Sequence, residues 1–165
     1  MPDWFVRNVA DAEWWVNDKF GARTFLVPGG SQVGARVHVL EPGKPSTLYH
    51  RESDQEGFLV VEGECVLVVE GEEHPLRRWD YFHCPPGTTH SFVGAGDGPC
   101  VMVTLGARSE AGTILYARDE AALGRGAGVE EETDTPSEAY APFPKWEPGR
   151  PPAWGALPWN DPPSY

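Results

Sequence analysis

The chain has 165 residues, a formal net charge of −12, and 40% apolar and 12% aromatic residues. That length suits one ordinary domain, and a surface this negative disfavours binding to nucleic acid or anionic membranes because it repels phosphate groups. No stretch approaches the ~20 continuous apolar residues needed to cross a bilayer, and the N-terminus has no basic region followed by an apolar run.

The three cysteines, Cys65, Cys84 and Cys100, are widely spaced and form no Cys-x-x-Cys motif. A scattered, odd-numbered set suits free thiols in a reducing compartment, where each cysteine packs as a small apolar side chain. Together with the lack of a secretory signal, this predicts a cytoplasmic protein.

Residues 1–35 are predicted to form an N-terminal arm that contains one short helix. Asp11 suits the N-cap of that helix, and Glu13 would lie in its positively polarised first turn. The two tryptophans that follow Glu13 would belong to the same helix.

Residues 36–106 are predicted to form an all-β barrel core. Short apolar runs, separated by turn residues, occur at 36–40, 58–61, 65–69, 80–84, 91–93 and 100–105. Glu62-Gly63-Glu64 is predicted to be a tight turn of hairpin type, and Glu70-Gly71-Glu72-Glu73 a second hairpin turn. The runs at 58–61 and 65–69 are apolar at every position, which indicates strands that are buried on both faces. We therefore expect the chain termini or a second subunit to cover the outside of the barrel.

Residues 107–139 are predicted to form a short helix, starting near Asp119 and ending at Gly124, and a solvated acidic loop at 130–134. Residues 140–165 follow as an extended strap. The last 30 residues hold nine of the 17 prolines, together with Trp146, Trp154 and Trp159. Proline excludes a regular element, but so many tryptophans favour a strap packed on the domain or on a partner.

Two segments carry candidate metal ligands. In the first, His50 and Glu52 share one face of a strand, and Glu56 follows after a short turn. In the second, a Pro85-x-Gly87 turn redirects the chain so that His90 opens the next strand. Imidazole and carboxylate groups bind Zn, Fe, Mn, Co or Ni, although each residue taken alone also fits an ordinary histidine or a solvated acidic loop.

These residues resemble the cupin family, whose first motif is G-x5-H-x-H-x3/4-E-x6-G. Here His50, Glu56 and Gly63 match that motif, whereas Glu52 stands where the family has its second histidine. Gly43 lies one residue further from His50 than the motif asks.

The second cupin motif is G-x5-P-x-G-x2-H-x3-N. Pro85, Gly87 and His90 match it, whereas Trp79 replaces the opening glycine and Gly94 replaces the closing asparagine. The sequences of both segments are similar to those of a bacterial group of single-domain cupins, or monocupins, with no assigned function.

The resemblance implies a double-stranded β-helix, or jelly-roll barrel, with short terminal helices and one divalent metal ion (Fe, Mn, Ni or Zn) per chain. It also implies that His50, Glu56 and His90 are ligands of this ion. Glu52 would either ligate in place of the missing histidine or hydrogen-bond to a ligand, and the face that it shares with His50 favours ligation.

Residues that flank the two motifs are expected to line the pocket or support the ligands. They are Tyr49, Arg51, Gln55, His83 and Cys84. The remaining histidines, His38 and His74, are interpreted as structural.

The function expected from this site is that of a metalloenzyme, a dioxygenase, isomerase or lyase that acts on a small molecule. A metal-dependent module that binds or senses a small molecule without turnover is the alternative, and a barrel with a purely structural role is a third. We predict a homodimer for two reasons. The outside of the barrel needs cover, and the resemblance to cupins implies pairing, since cupins often pair through barrel faces.

Overall fold

The computed structural model describes residues 4–160, which fold mainly into antiparallel β-strands. The strands in this range are β1 Trp14–Asn17, β2 Gly21–Phe25, β3 Val33–Leu40, β4 His50–Glu52, β5 Glu56–Glu62, β6 Glu64–Val69, β7 Glu72–Arg77, β8 Tyr81–Cys84, β9 His90–Ala95, β10 Cys100–Ala107, β11 Ile114–Tyr116 and β12 Glu147–Pro148. The helices in the same range are short: α1 Glu120–Gly124, α2 Pro136–Ala139, and 3₁₀ turns at Val9–Asp11, Trp154–Ala156 and Pro158–Asn160.

The strands form two sheets. A seven-stranded sheet has the order β12-β1-β2-β3-β10-β5-β8, and a five-stranded sheet has the order β11-β4-β9-β6-β7. The long strand β10 pairs along its whole length with β3 and along most of it with β5, so these three strands form the middle of the large sheet. The predicted all-β jelly roll is confirmed.

The core lies between the two sheets. Large apolar side chains from the large sheet, such as Phe58 and Met102, pack against Leu67 and Phe92 from the small sheet. These four side chains are at most 6% exposed. The same cluster includes all three cysteines, which are free and buried, as the sequence predicts.

The two predicted turns differ in what they join. Glu70 and Gly71, with φ values of 49° and 81°, connect β6 to β7 and bring Val69 opposite Glu72, which is a two-residue hairpin. The turn at Gly63 instead leads from β5 in the large sheet to β6 in the small sheet, so the expected hairpin between these strands does not form. A Cβ at Gly63 would lie 2.3 Å from the carbonyl oxygen of Pro99, which explains the need for glycine in this crossing.

The prediction of an N-terminal helix around Asp11 is wrong. Asn8 caps a single 3₁₀ turn, Val9–Asp11, by accepting a hydrogen bond of 2.8 Å from the Ala10 N–H. The chain then enters β1, because Trp14 gains more from packing in a buried position on the sheet than from a short exposed helix. The helix predicted from Asp119 to Gly124 is found, with Asp119 Oδ1 accepting from the Ala122 N–H at 2.9 Å.

The outside of the large sheet is covered in part by the chain's own ends. Val37 and Val39 of β3 point outward and are buried with Trp14 and Leu157, and Trp154 and Trp159 pack against the same cluster. The Trp14 and Trp159 rings are stacked, with centroids 5.2 Å apart. The C-terminal strap therefore packs on the domain, and the cluster it joins includes Val61 of the apolar run at 58–61. In the run at 65–69, Val68 is instead covered by Tyr49 and by Ala122 of α1.

The strap also crosses the open end of the barrel. Its carbonyl at Pro144 accepts a hydrogen bond of 2.8 Å from Nδ2 of Asn17, and Tyr140 and Trp146 pack against the buried ring of Phe20. Within residues 4–160, no helix is long and apolar enough to cross a membrane.

Candidate metal centre

His50 and His90 meet at the open end of the barrel, where β4 pairs with β9. The two residues are directly opposite in the register, and both side chains are buried. In each, Nδ1 donates to the backbone carbonyl two residues earlier, to Leu48 at 2.6 Å and to Thr88 at 3.0 Å. Because a carbonyl oxygen only accepts, the proton is on Nδ1, and Nε2 of each ring faces the cavity as the potential metal ligand.

Glu56, the first residue of β5, completes the group. Its carboxylate is buried, and Oε2 lies 3.3 Å from Nε2 of His90. Oε2 has no hydrogen-bond donor within residues 4–160. With the ring proton of His90 on Nδ1, only a proton on Glu56 itself could lie between these two atoms, and a divalent cation that replaced it would satisfy both.

One potential ligand atom from each of His50, Glu56 and His90 lies within 4.8 Å of the others. Two imidazoles and a carboxylate in this arrangement suit Fe, Mn, Ni or Zn, and the orphaned carboxylate oxygen fits such an ion. The residues therefore fit a divalent metal.

Burial and charge set the protonation of the three groups. Burial, and then the negative charge of Glu52, raises the pKa of Glu56 to about 7. Burial, and then the positive charge of His50, lowers the pKa of His90 to about 4, which keeps its ring neutral at neutral pH. Burial also acts to lower the pKa of His50. The protonated ring can donate from Nε2 to Glu52 and from Nδ1 to the Leu48 carbonyl, and these hydrogen bonds outweigh burial and leave the pKa raised. Metal binding would therefore release protons from this group.

Glu52 lies beside the group rather than within it. Its Oε1 is 3.4 Å from Nε2 of His50, and its side chain is 28% exposed. It lies on the face predicted from the strand alternation, but it is not among the residues whose ligand atoms all lie within 4.8 Å of one another. The hydrogen bond with His50 lowers the pKa of Glu52, so its carboxylate is charged.

The group opens into a cavity of about 580 Å³ between the barrel and the strap. One wall of the cavity is formed by the candidate ligands His50, Glu56 and His90 with the adjacent Glu52, and the strap contributes Tyr140 and five further residues up to Trp146. Cavities of this size hold small organic molecules.

Residues 36–106 match the family model described as Cupin domain. The barrel is a cupin domain. Among curated proteins, none matches the sequence.

Solved structures share the fold of this cupin domain. A sugar phosphate isomerase from a cupin superfamily, from Silicibacter pomeroyi, is 26% identical with a TM-score of 0.62 over 70% of this chain and 88% of that one. An RmlC-like cupin from Shewanella frigidimarina is 19% identical with a TM-score of 0.55, and the match covers 64% of this chain and 91% of that one. A Cupin 2 conserved barrel domain protein from Salinispora arenicola is 21% identical with a TM-score of 0.54, over 66% and 92% of the two chains.

The departures from the cupin motifs have visible structural consequences. Trp79 adopts a φ of 76° where the family has glycine, and its ring is 63% exposed. At Gly94, where the motif has asparagine, a Cβ would lie 2.3 Å from the carbonyl oxygen of Glu41, so a larger residue would force the backbones apart.

Among the flanking residues named from the cupin motifs, Cys84 approaches the site. Its buried Sγ lies 3.4 Å from Nδ1 of His90, and burial followed by the charge of Glu56 raises the pKa of its thiol to about 12. The thiol thus stays protonated and supports the ring of His90 by contact.

The other flanking residues point away from the cavity. Tyr49 is buried on the opposite face, where its hydroxyl accepts from the Gly71 N–H at 3.0 Å. Arg51, Gln55 and His83 are exposed. Alternation along the strands explains this, because each of these residues is next to an inward-facing one.

Several cavity residues were not identified from the sequence. They are Arg23, Arg36, Tyr116, Tyr140, Phe143 and Trp146. His38, interpreted above as structural, also lines the cavity, whereas His74 is 52% exposed on β7. The alternation of β3 places Arg36 and His38 on one face and could have revealed Arg36. Arg23 and the strap residues have no local signal, because only the tertiary fold brings them to the cavity.

Proposed function

We propose that this cupin domain belongs to a metalloenzyme that binds one divalent ion through His50, Glu56 and His90 and acts on a small molecule in the adjoining cavity. The observation that carries the proposal is the position of Glu56 Oε2, which has no hydrogen-bond donor within residues 4–160 and lies 3.3 Å from His90 Nε2 at the wall of the cavity. Two histidines and one carboxylate would leave coordination positions for the molecule that binds there.

Within the classes considered for the enzyme, isomerase is the one we favour. A divalent ion held by these residues would supply Lewis-acid chemistry to an oxygen of the bound molecule. The support for isomerisation over oxygenation or elimination is the similarity to the Silicibacter pomeroyi protein that is described as a sugar phosphate isomerase. The chain's own contribution is to orient the molecule and exclude water, since the strap forms one side of the cavity.

Metal content tests the proposal. Protein purified without added metal should carry close to one divalent ion per chain by elemental analysis, and His50→Ala combined with His90→Ala should remove most of it. His74→Ala, which changes an exposed histidine outside the cavity, is the matched control and should keep the metal. A double variant that retains its metal would overturn the site assignment.

A substrate screen under air and under nitrogen then tests the reaction class. Turnover that is the same in both atmospheres supports isomerase or lyase chemistry, whereas dependence on oxygen supports a dioxygenase. Ligand binding without any turnover would favour the alternative, a metal-dependent binding or sensing module.

We further propose that the protein is a homodimer that pairs through the part of the large sheet that the strap leaves open. Three large apolar side chains on its strands are 48–59% exposed: Val33, Tyr81 and Leu105. Burial of such a patch against a second copy would remove apolar surface from water.

A further inference from the structure

Unpaired polar atoms gather in the metal-side cavity. Within residues 4–160, five buried side-chain nitrogen or oxygen atoms have no hydrogen-bond partner, and four of them belong to residues that line this cavity. The four are Arg23 Nε, His38 Nδ1, Glu56 Oε2 and Thr104 Oγ1. Buried polar groups in native proteins are nearly always paired. A metal ion would satisfy Glu56 Oε2, and the other three atoms are left for solvent or a bound molecule to satisfy.

Two of the cavity's cations form no ion pair within residues 4–160, although the charge of Arg36 acts to lower the pKa of both Glu52 and Glu56. Arg23 of β2 and Arg36 of β3 both line the cavity, and neither takes part in an ion pair with the acidic residues of 4–160. Strand alternation puts them on the same face as His38, which is opposite Arg23 in the β2–β3 register. The charges of Arg36 and Arg23 both act to lower the pKa of His38, so the three groups are neighbours.

The Arg23 guanidinium is held in place from one side. Its Cζ lies 3.8 Å from the centre of the Trp146 ring, and Phe25 packs nearby at 5.1 Å. Stacking of this kind fixes the plane of a guanidinium while its edge stays free to donate. Burial, and then the like charge of Arg36, lowers the pKa of Arg23 to about 10, so it remains charged at neutral pH. Two nearby positive charges with free donors in a partly dry cavity would bind an anion well.

We propose that the molecule bound in this cavity carries a carboxylate or phosphate group that is held by the guanidinium groups of Arg23 and Arg36. The anion site itself does not depend on the proposed function. Only the placement of the reacting end of the molecule, next to His50, Glu56 and His90, rests on it.

The sheet register gives the separation of the two ends. Arg36 pairs with Thr104 of β10, and Thr104 pairs with Phe58 of β5, two residues beyond Glu56 on the same face. The backbones of β3 and β5 are therefore about 10 Å apart, with β10 between them. Side chains from these two strands line one cavity, so both can contact the same small molecule. Lys145 on the strap adds a third cation at the rim.

Anion binding to the metal-loaded protein tests the inference. We would measure the affinity of inorganic phosphate and of acetate by calorimetry, and the shift of the melting temperature that each produces. The variants are Arg23→Met, Arg36→Met and their combination, with Arg118→Met as the control because it removes an exposed arginine that pairs with Glu120 outside the cavity. Metal content is measured on the same samples.

We expect wild type and Arg118→Met to bind at least one of the two anions equally well, and each cavity variant to bind it about tenfold or more weakly. The preferred anion identifies the group as phosphate or carboxylate. Arg23→Lys and Arg36→Lys keep the positive charge but lose the planar guanidinium, so they should also weaken anion binding. They replace the methionine variants if those do not fold. Binding of neither anion to wild type, or equal binding by the folded double variant, would overturn the inference.

The two proposals fail separately. Protein that carries metal but shows no arginine-dependent anion binding contradicts only the anion site. Protein that binds the anion through these arginines but never carries metal contradicts only the proposed metalloenzyme.

Discussion

His50 and His90 lie directly opposite each other across β4 and β9, and the centroids of their rings are 5.1 Å apart. Each ring is oriented by a hydrogen bond from Nδ1 to the carbonyl two residues earlier in its own segment. The same local hydrogen bond therefore orients both histidines, and the antiparallel pairing of β4 with β9 brings the two rings together. Glu56 joins them from the other sheet, so the candidate metal centre spans the two layers of the barrel.

The first prediction separates the roles of Glu52 and Glu56. Glu56 is buried within the group of potential ligands, whereas Glu52 contacts that group through His50. We expect Glu52→Gln to weaken metal affinity by about 10–100-fold, the usual effect of losing a group that orients a ligand, and Glu56→Gln to weaken it much more. Competition titration with a metal chelator measures both, and a greater loss for Glu52→Gln would establish Glu52 as a direct ligand.

The second prediction concerns His38 and acid stability. Burial, and then the charges of Arg36 and Arg23, lower the pKa of His38 from its ordinary value of 6.5 to about 3 in the folded protein. Between these values the unfolded chain binds more protons than the folded one, so this residue makes stability fall as the pH decreases below about 6.5. The loss is roughly 2 kcal/mol at pH 5.

His38→Gln cannot titrate and serves as the comparison for this effect. Denaturant unfolding of the two proteins from pH 7 to pH 5 should give a steeper loss of stability for wild type. Parallel curves would show that His38 does not bind a proton on unfolding.

The third prediction tests how much the strap stabilises the domain. Leu157 is 1% exposed in the cluster with Trp14 and Val39. Leu157→Ala should lower the free energy of unfolding by about 2–4 kcal/mol, whereas Val6→Ala, at a side chain that is 91% exposed, should change it by less than about 0.5 kcal/mol. Truncation after Ala139 should lower the melting temperature further. Equal values for the two point variants would mean that the strap is not packed in solution.

The fourth prediction concerns the backbone at Trp79. A tryptophan with a φ of 76° adopts the left-handed region that only glycine enters without cost, and its exposed ring gains little from packing. Trp79→Gly should therefore stabilise the protein by about 1 kcal/mol in denaturant unfolding. Trp79→Ala, which removes the same ring but keeps a Cβ, should not. If both variants change the stability equally, the change results from loss of the ring and not from the backbone conformation.

The fifth prediction is the homodimer. Light scattering should give a mass near twice 18.1 kDa. Leu105→Glu places a charge in the exposed patch on the large sheet and should produce monomers, whereas Val6→Glu adds the same charge at an exposed residue outside the strands. A wild-type monomer, or a Leu105→Glu dimer, would contradict this arrangement.

Local features of the sequence were enough to predict much of the barrel. The apolar runs at 58–61 and 65–69, the hairpin turn at Gly71 and the helix cap at Asp119 each depend on neighbouring residues, and each lies where the sequence suggested. The turn at Gly63 does not, because its glycine is required by the distant Pro99. The helix predicted at Asp11 failed because the burial of Trp14 in the sheet outweighed a weak local preference. Such competition between local and tertiary terms cannot be evaluated from neighbours alone.

The sequence by itself determined that this chain is an all-β domain with His50, Glu56 and His90 as candidate ligands, because periodicity and motif spacing are properties of short segments. The tertiary structure decided which neighbours of those residues face the cavity. It turned Tyr49, Gln55 and His83 away and brought Arg23, Arg36 and Trp146 together from β2, β3 and the strap. The physical reason is that strand pairing and the course of the strap are long-range choices, made by burial of the whole chain.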